Sequence, residues 1–131
     1  MRTILFGVLM LAAAPAWADL VKVTETGDTV YYVDPTSISD KEDFRRVSVL
    51  QDYAALEPGG TRSRRVSYEV DCAAERLRSV AATEYTEPMA QGKSANSWER
   101  ESAWLYVAPR TGSNIPSRTP YRAILGFVCS R

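Results

Sequence analysis

The sequence predicts an α+β domain, in which a series of β-strands precedes one C-terminal helix. Three observations carry the prediction. Residues Arg64 to Cys72 alternate with the period of a half-buried strand: Val66, Tyr68, Val70 and Cys72 share one face, and Arg65, Ser67, Glu69 and Asp71 share the other. Near the end of the chain, Thr119-Pro120 forms a helix start, with Thr as cap and Pro at the first helical position, and Tyr121, Ile124, Leu125 and Val128 follow at helical spacing. The chain also holds two cysteines, Cys72 on the apolar face of that strand and Cys129 beside the helical stripe, so the one intramolecular pairing would join the two elements.

The first residues read as a secretory signal. Arg2 supplies the basic start, Ile4 to Ala14 the apolar run, Pro15 the break, and Ala16-Trp17-Ala18 the small-x-small pattern of a cleavage site. Cleavage is expected after Ala18, leaving residues 19–131 as one domain. The apolar run is short for an uncleaved membrane anchor, since a spanning helix takes about 20 residues. Neither the run nor the residues just after it include a cysteine, so a lipid-modified start is not expected. The chain of 131 residues carries 16 basic and 16 acidic side chains. That balance gives no electrostatic case for binding nucleic acid or bulk membrane. Disulfides persist outside the cytoplasm, which favours a Cys72–Cys129 bridge over free thiols or a bridge between molecules. Closing that loop is worth ~4 kcal/mol in the chain-entropy model, a large share of a typical net stability of ~5–15 kcal/mol.

Taken in order, Leu20 to Thr24 alternates weakly and Thr29 to Val33 is rich in β-branched and aromatic residues, so two strands flank a turn at Thr26-Gly27-Asp28. Asp34-Pro35-Thr36-Ser37 is turn chemistry, because the carboxylate bonds forward to the backbone and proline presets φ. The charged run Asp40 to Asp43 is expected to be a solvated loop. Phe44 to Tyr53 reads as a third strand, and Glu57-Pro58-Gly59-Gly60 breaks the chain before the fourth, at Arg64 to Cys72. Residues 73–81 present a conflict. Local propensity there favours a helix, yet Thr83 to Thr86 runs on with strand-like residues. Pro88 to Glu101 reads as a long loop, Ala103 to Val107 as a strand, and Pro109 to Pro116 as irregular chain.

The chain has no histidine, which removes the commonest general base and metal ligand. No zinc spacing, phosphate loop or dinucleotide fingerprint is present, and the carboxylates are scattered, so no catalytic residue, metal or cofactor is assigned. The candidate binding residues are Arg62, Arg64 and Arg65, a basic cluster suited to an anionic partner; the competing reading is a solubilising edge. If residues 44–56 and 62–72 form a hairpin, Arg45 and Arg46 sit on the neighbouring strand towards its far end. Trp98, in the polar stretch Asn96 to Arg100, is the fourth candidate, because an exposed loop tryptophan suits binding. Alternation puts Tyr31 and Tyr32 on opposite faces, whereas Trp104 and Tyr106 share a face and are expected in the core.

Several short motifs, in their order and spacing, resemble a known family. Tyr32 to Ile38 is similar to its early strand and turn, and Leu50-Gln51-Asp52-Tyr53 to its central strand. Ser63 with Tyr68-Glu69-Val70-Asp71-Cys72 is similar to its serine and YxxDC signature; Pro88-Met89, Gly92, Trp104 to Pro109 and Cys129 complete the pattern. The chain thus resembles the surface-adhesin protein E family of Gram-negative bacteria over nearly all of residues 19–131. The resemblance implies a six-stranded antiparallel sheet with the C-terminal helix on its concave face, tethered by Cys72–Cys129. It also implies strand for residues 76–86, with Tyr68 and Val70 in the floor that receives Leu125 and Val128.

The family's prototype is a lipid-anchored adhesin that binds host matrix and serum proteins, whereas Asp19 here follows the cleavage pattern with no cysteine to acylate. The expectation is therefore an exported, non-catalytic protein-binding module, periplasmic or released, without stable membrane insertion. Its expected partner is a host matrix protein or an envelope protein, and a second copy of the chain is a further candidate. The alternative is a periplasmic carrier of a small apolar or anionic ligand, held between helix and sheet or at the arginine cluster.

Overall fold

A computed structural model describes residues 19–107 and 119–131. The expected signal segment and the irregular stretch from Pro109 to Pro116 lie outside the described residues, as does the side chain of Thr119 with its expected cap. Among the described residues, eight strands form one antiparallel sheet: β1 (Val21–Thr26), β2 (Thr29–Val33), β3 (Ser39–Lys41), β4 (Phe44–Tyr53), β5 (Ser63–Asp71), β6 (Arg76–Tyr85), β7 (Ser94–Glu99) and β8 (Leu105–Tyr106). Helix α1 (Thr119–Cys129) follows. The order across the sheet is β1-β2-β4-β5-β6-β7, with β3 on β4 and β8 on β6.

The sheet is six strands wide because the two extra strands lie in tandem with others. β2 pairs with residues 49–53 of β4, and β3 with residues 44–46 of the same strand. In the same way β7 pairs with residues 81–85 of β6, and β8 with residues 76–77. Between β2 and β3 the chain makes a tight turn at Pro35–Ser37, where the Asp34 carboxylate accepts from the Thr36 N–H at 3.0 Å. Asp34 N–H donates to Ser48 O at 3.2 Å, and Ser48 N–H donates to Ser37 Oγ at 2.8 Å, so β4 keeps its backbone partners across the gap. Gly27 takes φ 55° at the first position of the two-residue turn joining β1 to β2, where a side chain would be strained.

Three sequence expectations are corrected. Asp40 to Asp43 is not a solvated loop: Ser39–Lys41 pairs with Phe44–Arg46, and the chain reverses at Glu42 with φ 50°. Nor is Pro88 to Glu101 a long loop, because Ser94–Glu99 hydrogen-bonds to β6 as an edge strand. The strand expected over Ala103 to Val107 shortens to Leu105–Tyr106, and Tyr106 is 38% exposed rather than in the core. The conflict at residues 73–81 resolves as strand, the outcome the resemblance implied. Leu77 pairs with Val70 and Ala82 with Val66, and both β6 residues are buried, which local helix formation would forfeit. The turn entering β6 is held by Asp71, whose Oδ1 accepts from the Ala74 N–H at 3.1 Å and whose Oδ2 accepts from Arg76 Nε at 2.9 Å. Val80 is the extra residue of a bulge that keeps Ala82 on the core face.

The core lies between α1 and one face of the sheet. Val33, Val47, Val49, Val66, Tyr68 and Val70 meet Ile124 and Val128, both 0% exposed. Burying each of those two helix side chains contributes ~1.5–3 kcal/mol. The helix touches β1 at one flank and β6 at the other, seated in the hollow of the curved sheet. The Cys72–Cys129 disulfide closes a loop of 57 residues with Cα atoms 5.6 Å apart. Arg45 Nη1 donates to the main-chain oxygens of Val128 at 2.7 Å and Arg131 at 2.6 Å, placing a cation on carbonyls at the helix C-terminus.

Motif residues scattered along the sequence converge beside β5. Met89 and Ala90 both adopt positive φ, 59° and 56°, which costs roughly 1–2 kcal/mol per residue. The strained turn is clamped: Met89 N–H donates to Asp52 Oδ1 at 2.8 Å and Ala90 N–H donates to Ser63 Oγ at 2.9 Å. Ser63 Oγ in turn donates to Glu87 O at 2.6 Å and is itself fully buried. These motif positions therefore shape the fold.

Candidate functional site

The face of the sheet opposite α1 carries a layered array of charge and aromatic rings. Strand register sets it up. Glu69 of β5 lies opposite Arg46 of β4 and Arg78 of β6, and Asp71 lies opposite Arg76, which lies opposite Tyr106 of β8. Because alternate residues share a face, Phe44 and Arg46 point the same way as these groups. Trp104, just before β8, completes the layer. Its ring lies 4.1 Å from the Arg76 guanidinium and 4.4 Å from that of Arg78. Arg78 also lies 6.0 Å from the Phe44 ring, and Arg76 lies 5.9 Å from that of Tyr106. The Phe44 and Trp104 rings also touch directly, with centroids 5.1 Å apart, so Phe44, Trp104 and Tyr106 form one ladder with Arg78 and Arg76.

Two buried carboxylates fix the ladder from beneath. Glu69 Oε1 accepts from Arg78 Nε at 3.0 Å and Nη2 at 2.9 Å, while Glu69 Oε2 accepts from Arg46 Nη2 at 3.3 Å. Asp71 and Arg76 form the second pair. Burial pushes the Asp71 carboxyl upwards, but hydrogen bonds from the Ala74 backbone and Arg76, with the Arg76 charge, outweigh it and hold the pKa below the usual value. The hydrogen bond to Asp71 raises the pKa of Arg76. Sequence reasoning missed this array because its charges lie on three strands and two of its rings on a fourth segment. Its only trace was Glu69 and Asp71 on one alternating face, with Arg76 and Arg78 spaced by two.

The four predicted binding residues divide between places. Arg64 and Trp98 come together on the helix side of the sheet, with the guanidinium 5.6 Å from the indole and 6.0 Å from the Tyr53 ring. Arg64 Nη2 donates to Glu84 Oε1 at 2.7 Å, so its charge is balanced. Arg65 takes the opposite face, as the alternation of β5 requires, and burial lowers its pKa. Arg62 precedes β5, where its N–H donates to Tyr85 O at 2.9 Å. Trp98 stands on edge strand β7 and is 36% exposed. Arg45 and Arg46 lie at the far end of the β4–β5 hairpin, opposite Val70 and Glu69.

On the helix side, a buried polar thread runs through the phenols. Tyr53 OH donates to Gln51 Oε1 at 3.1 Å, and Gln51 Nε2 donates to Tyr68 OH at 3.2 Å. Burial raises the pKa values of Tyr53, Tyr68 and Tyr121. Among the described residues, no group of three or more His, Cys, Asp and Glu side chains is placed to hold a metal ion. Among the same residues, no helix is long and apolar enough to cross a membrane.

Comparison with curated proteins gave no match. Among solved structures, a selenomethionine form of Haemophilus influenzae protein E is 20% identical, with a TM-score of 0.61 over 87% of this chain and 88% of that one. A second crystal form of the same protein is 20% identical, with a TM-score of 0.60 over 86% of this chain and 88% of that one. A third structure of it is 17% identical, with a TM-score of 0.57 over 87% and 89%. These likenesses establish the shared fold. The sequence itself matches the family described as surface-adhesin protein E over residues 17–130, nearly its whole length. With sheet order, helix, disulfide and sequence match in agreement, the chain belongs to the surface-adhesin protein E family.

Proposed function

We propose that this chain is an exported, non-catalytic, adhesin-like protein whose open sheet face binds another protein. In this reading residues 1–18 are a cleaved export signal, residues 19–131 are the working domain, and the partner is a host matrix protein or an envelope protein. The ladder carries the reading. Trp, Tyr and Arg are the residue types concentrated at binding hot spots. Here they are already ordered by Glu69 and Asp71, so little side-chain freedom remains to be lost on association. Membership of an adhesin family supports the same class of function. A second contact is proposed at Trp98 and Arg64 on the helix side, with Arg62 just before β5, while Arg65 would contribute from the open face.

A photo-cross-linking residue at Tyr106 tests this, with Leu56 as the control, since the two positions are 38% and 62% exposed. The full chain is produced in its cells and irradiated there, then again with host-matrix extract. Covalent adducts to protein are expected at position 106 and not at position 56. Equal yields at both positions, or none at either, refute the ladder as the binding surface. Recovery of the chain from the cytoplasmic fraction alone refutes export.

A further inference from the structure

Beside the ladder the open face holds a hollow of about 450 Å³, a volume typical of small-ligand sites. Its base is low because Ser67 and Ala81, paired across β5 and β6, are small. Arg46 lines one side, and Glu99, Arg100 and Glu101 line the other. Arg46 is incompletely used: its side chain is 42% exposed, and among the described residues its one ion pair is long at 3.3 Å. The exposed edge of the guanidinium is matched to an incoming carboxylate. A polyanion is disfavoured, because Glu99 and Glu101, the latter also 3.4 Å from Arg78, outnumber Arg100 on the opposite side. The complementary occupant carries one carboxylate near Arg46 and one cation near the two glutamates.

We propose that this hollow seats a zwitterionic peptide segment of the partner protein, an acidic side chain on Arg46 and a basic side chain towards Glu99 and Glu101. This deepens the reading of the open face as the binding surface and rests on it. The spacing fits an extended segment. β4 and β7 are three strand steps apart, about 14 Å. Residues two apart in an extended peptide project to one side about 7 Å from each other, and the facing side chains span the remainder.

The test is a nuclear magnetic resonance titration of the isotopically labelled protein with a blocked Asp-Ala-Lys tripeptide. Blocked Asn-Ala-Lys, blocked Asp-Ala-Gln and inorganic sulfate are the comparison probes. Asp-Ala-Lys is expected to shift the Arg46 Nε–H and the Ser67 and Ala81 amides, with an affinity about tenfold above either neutralised peptide. Arg46→Gln should remove the preference for Asp over Asn. Glu99→Gln, on an exposed strand, should remove the preference for Lys over Gln, and it decides the matter if Arg46→Gln does not fold. Equal affinities for the three peptides, or equal shifts from sulfate, overturn the proposal. Cross-links at Tyr106 without any peptide response overturn the hollow and leave the open face standing. A selective peptide response without cross-links upholds the hollow and overturns the ladder as the wider contact.

Discussion

Replacing Cys72 and Cys129 together with alanine should cost about 4 kcal/mol. The bridge closes a loop of 57 residues. In the chain-entropy model a loop of that length removes about 14 cal/mol/K from the unfolded chain, which is about 4 kcal/mol at room temperature. Both cysteines are only partly buried, so lost packing adds little. At about 2.1 cal/mol/K of unfolding entropy per residue, residues 19–131 should lose about 15–20 °C in Tm. Urea unfolding by circular dichroism measures the effect, read as the difference in extrapolated free energy between the oxidised wild type and the double variant. The denaturant slope should rise as well, because the uncrosslinked unfolded chain expands further. A loss below about 1 kcal/mol would refute the entropic reasoning. Two reactive thiols in denatured, unreduced wild type would refute the bridge itself.

Ser63→Ala should cost about 3 kcal/mol in the same urea assay, because it strands the Ala90 N–H and the Glu87 carbonyl in a buried site; a change under about 0.5 kcal/mol would show that water replaces the hydroxyl. Trp104→Ala removes the ring that meets both guanidiniums and Phe44 and should destabilise by about 2 kcal/mol. Heteronuclear spectra of that variant should show Arg76 and Arg78 side chains losing their ring-current shifts, and unchanged shifts would contradict the ladder. For pH, burial holds the phenols of Tyr53, Tyr68 and Tyr121 above their ordinary pKa of 10.0. The unfolded chain then loses protons first as pH rises, so their stabilisation is whole below about pH 10 and declines as pH climbs through the folded values. The urea midpoint should fall on that limb, and Tyr68→Phe should make the fall shallower; a midpoint insensitive to alkali would refute the buried phenols.

Much of the fold is legible in the sequence where alternation coincides with burial. β2 and β4 have the bounds that composition gives them, because one face of each packs on the core. β7 was illegible for the opposite reason: all six of its residues are exposed, so nothing selects apolar side chains at alternate positions. β3 is three exposed residues, Ser-Asp-Lys, held by backbone pairing alone. Residues 73–81 gave conflicting signals because alanine-rich composition reports local preference, whereas β5 supplies the cross-strand partners that win. The site was less legible. Arg62, Arg64 and Arg65 are neighbours in sequence, yet alternation sends Arg65 away from Arg64. Trp104 looked like core because its hydrophobicity is visible in sequence and its two arginine neighbours on β6 are not.

Glu69 serves two arginines with separate oxygens, one towards the rungs and one towards the hollow. A single counter-ion thus joins two stretches of surface that would otherwise act alone. Whatever draws Arg46 aside leaves more negative charge for Arg78, tightening the stack; whatever grips the stack loosens Arg46 for an incoming acid. Thermodynamic reciprocity makes the two influences equal in size.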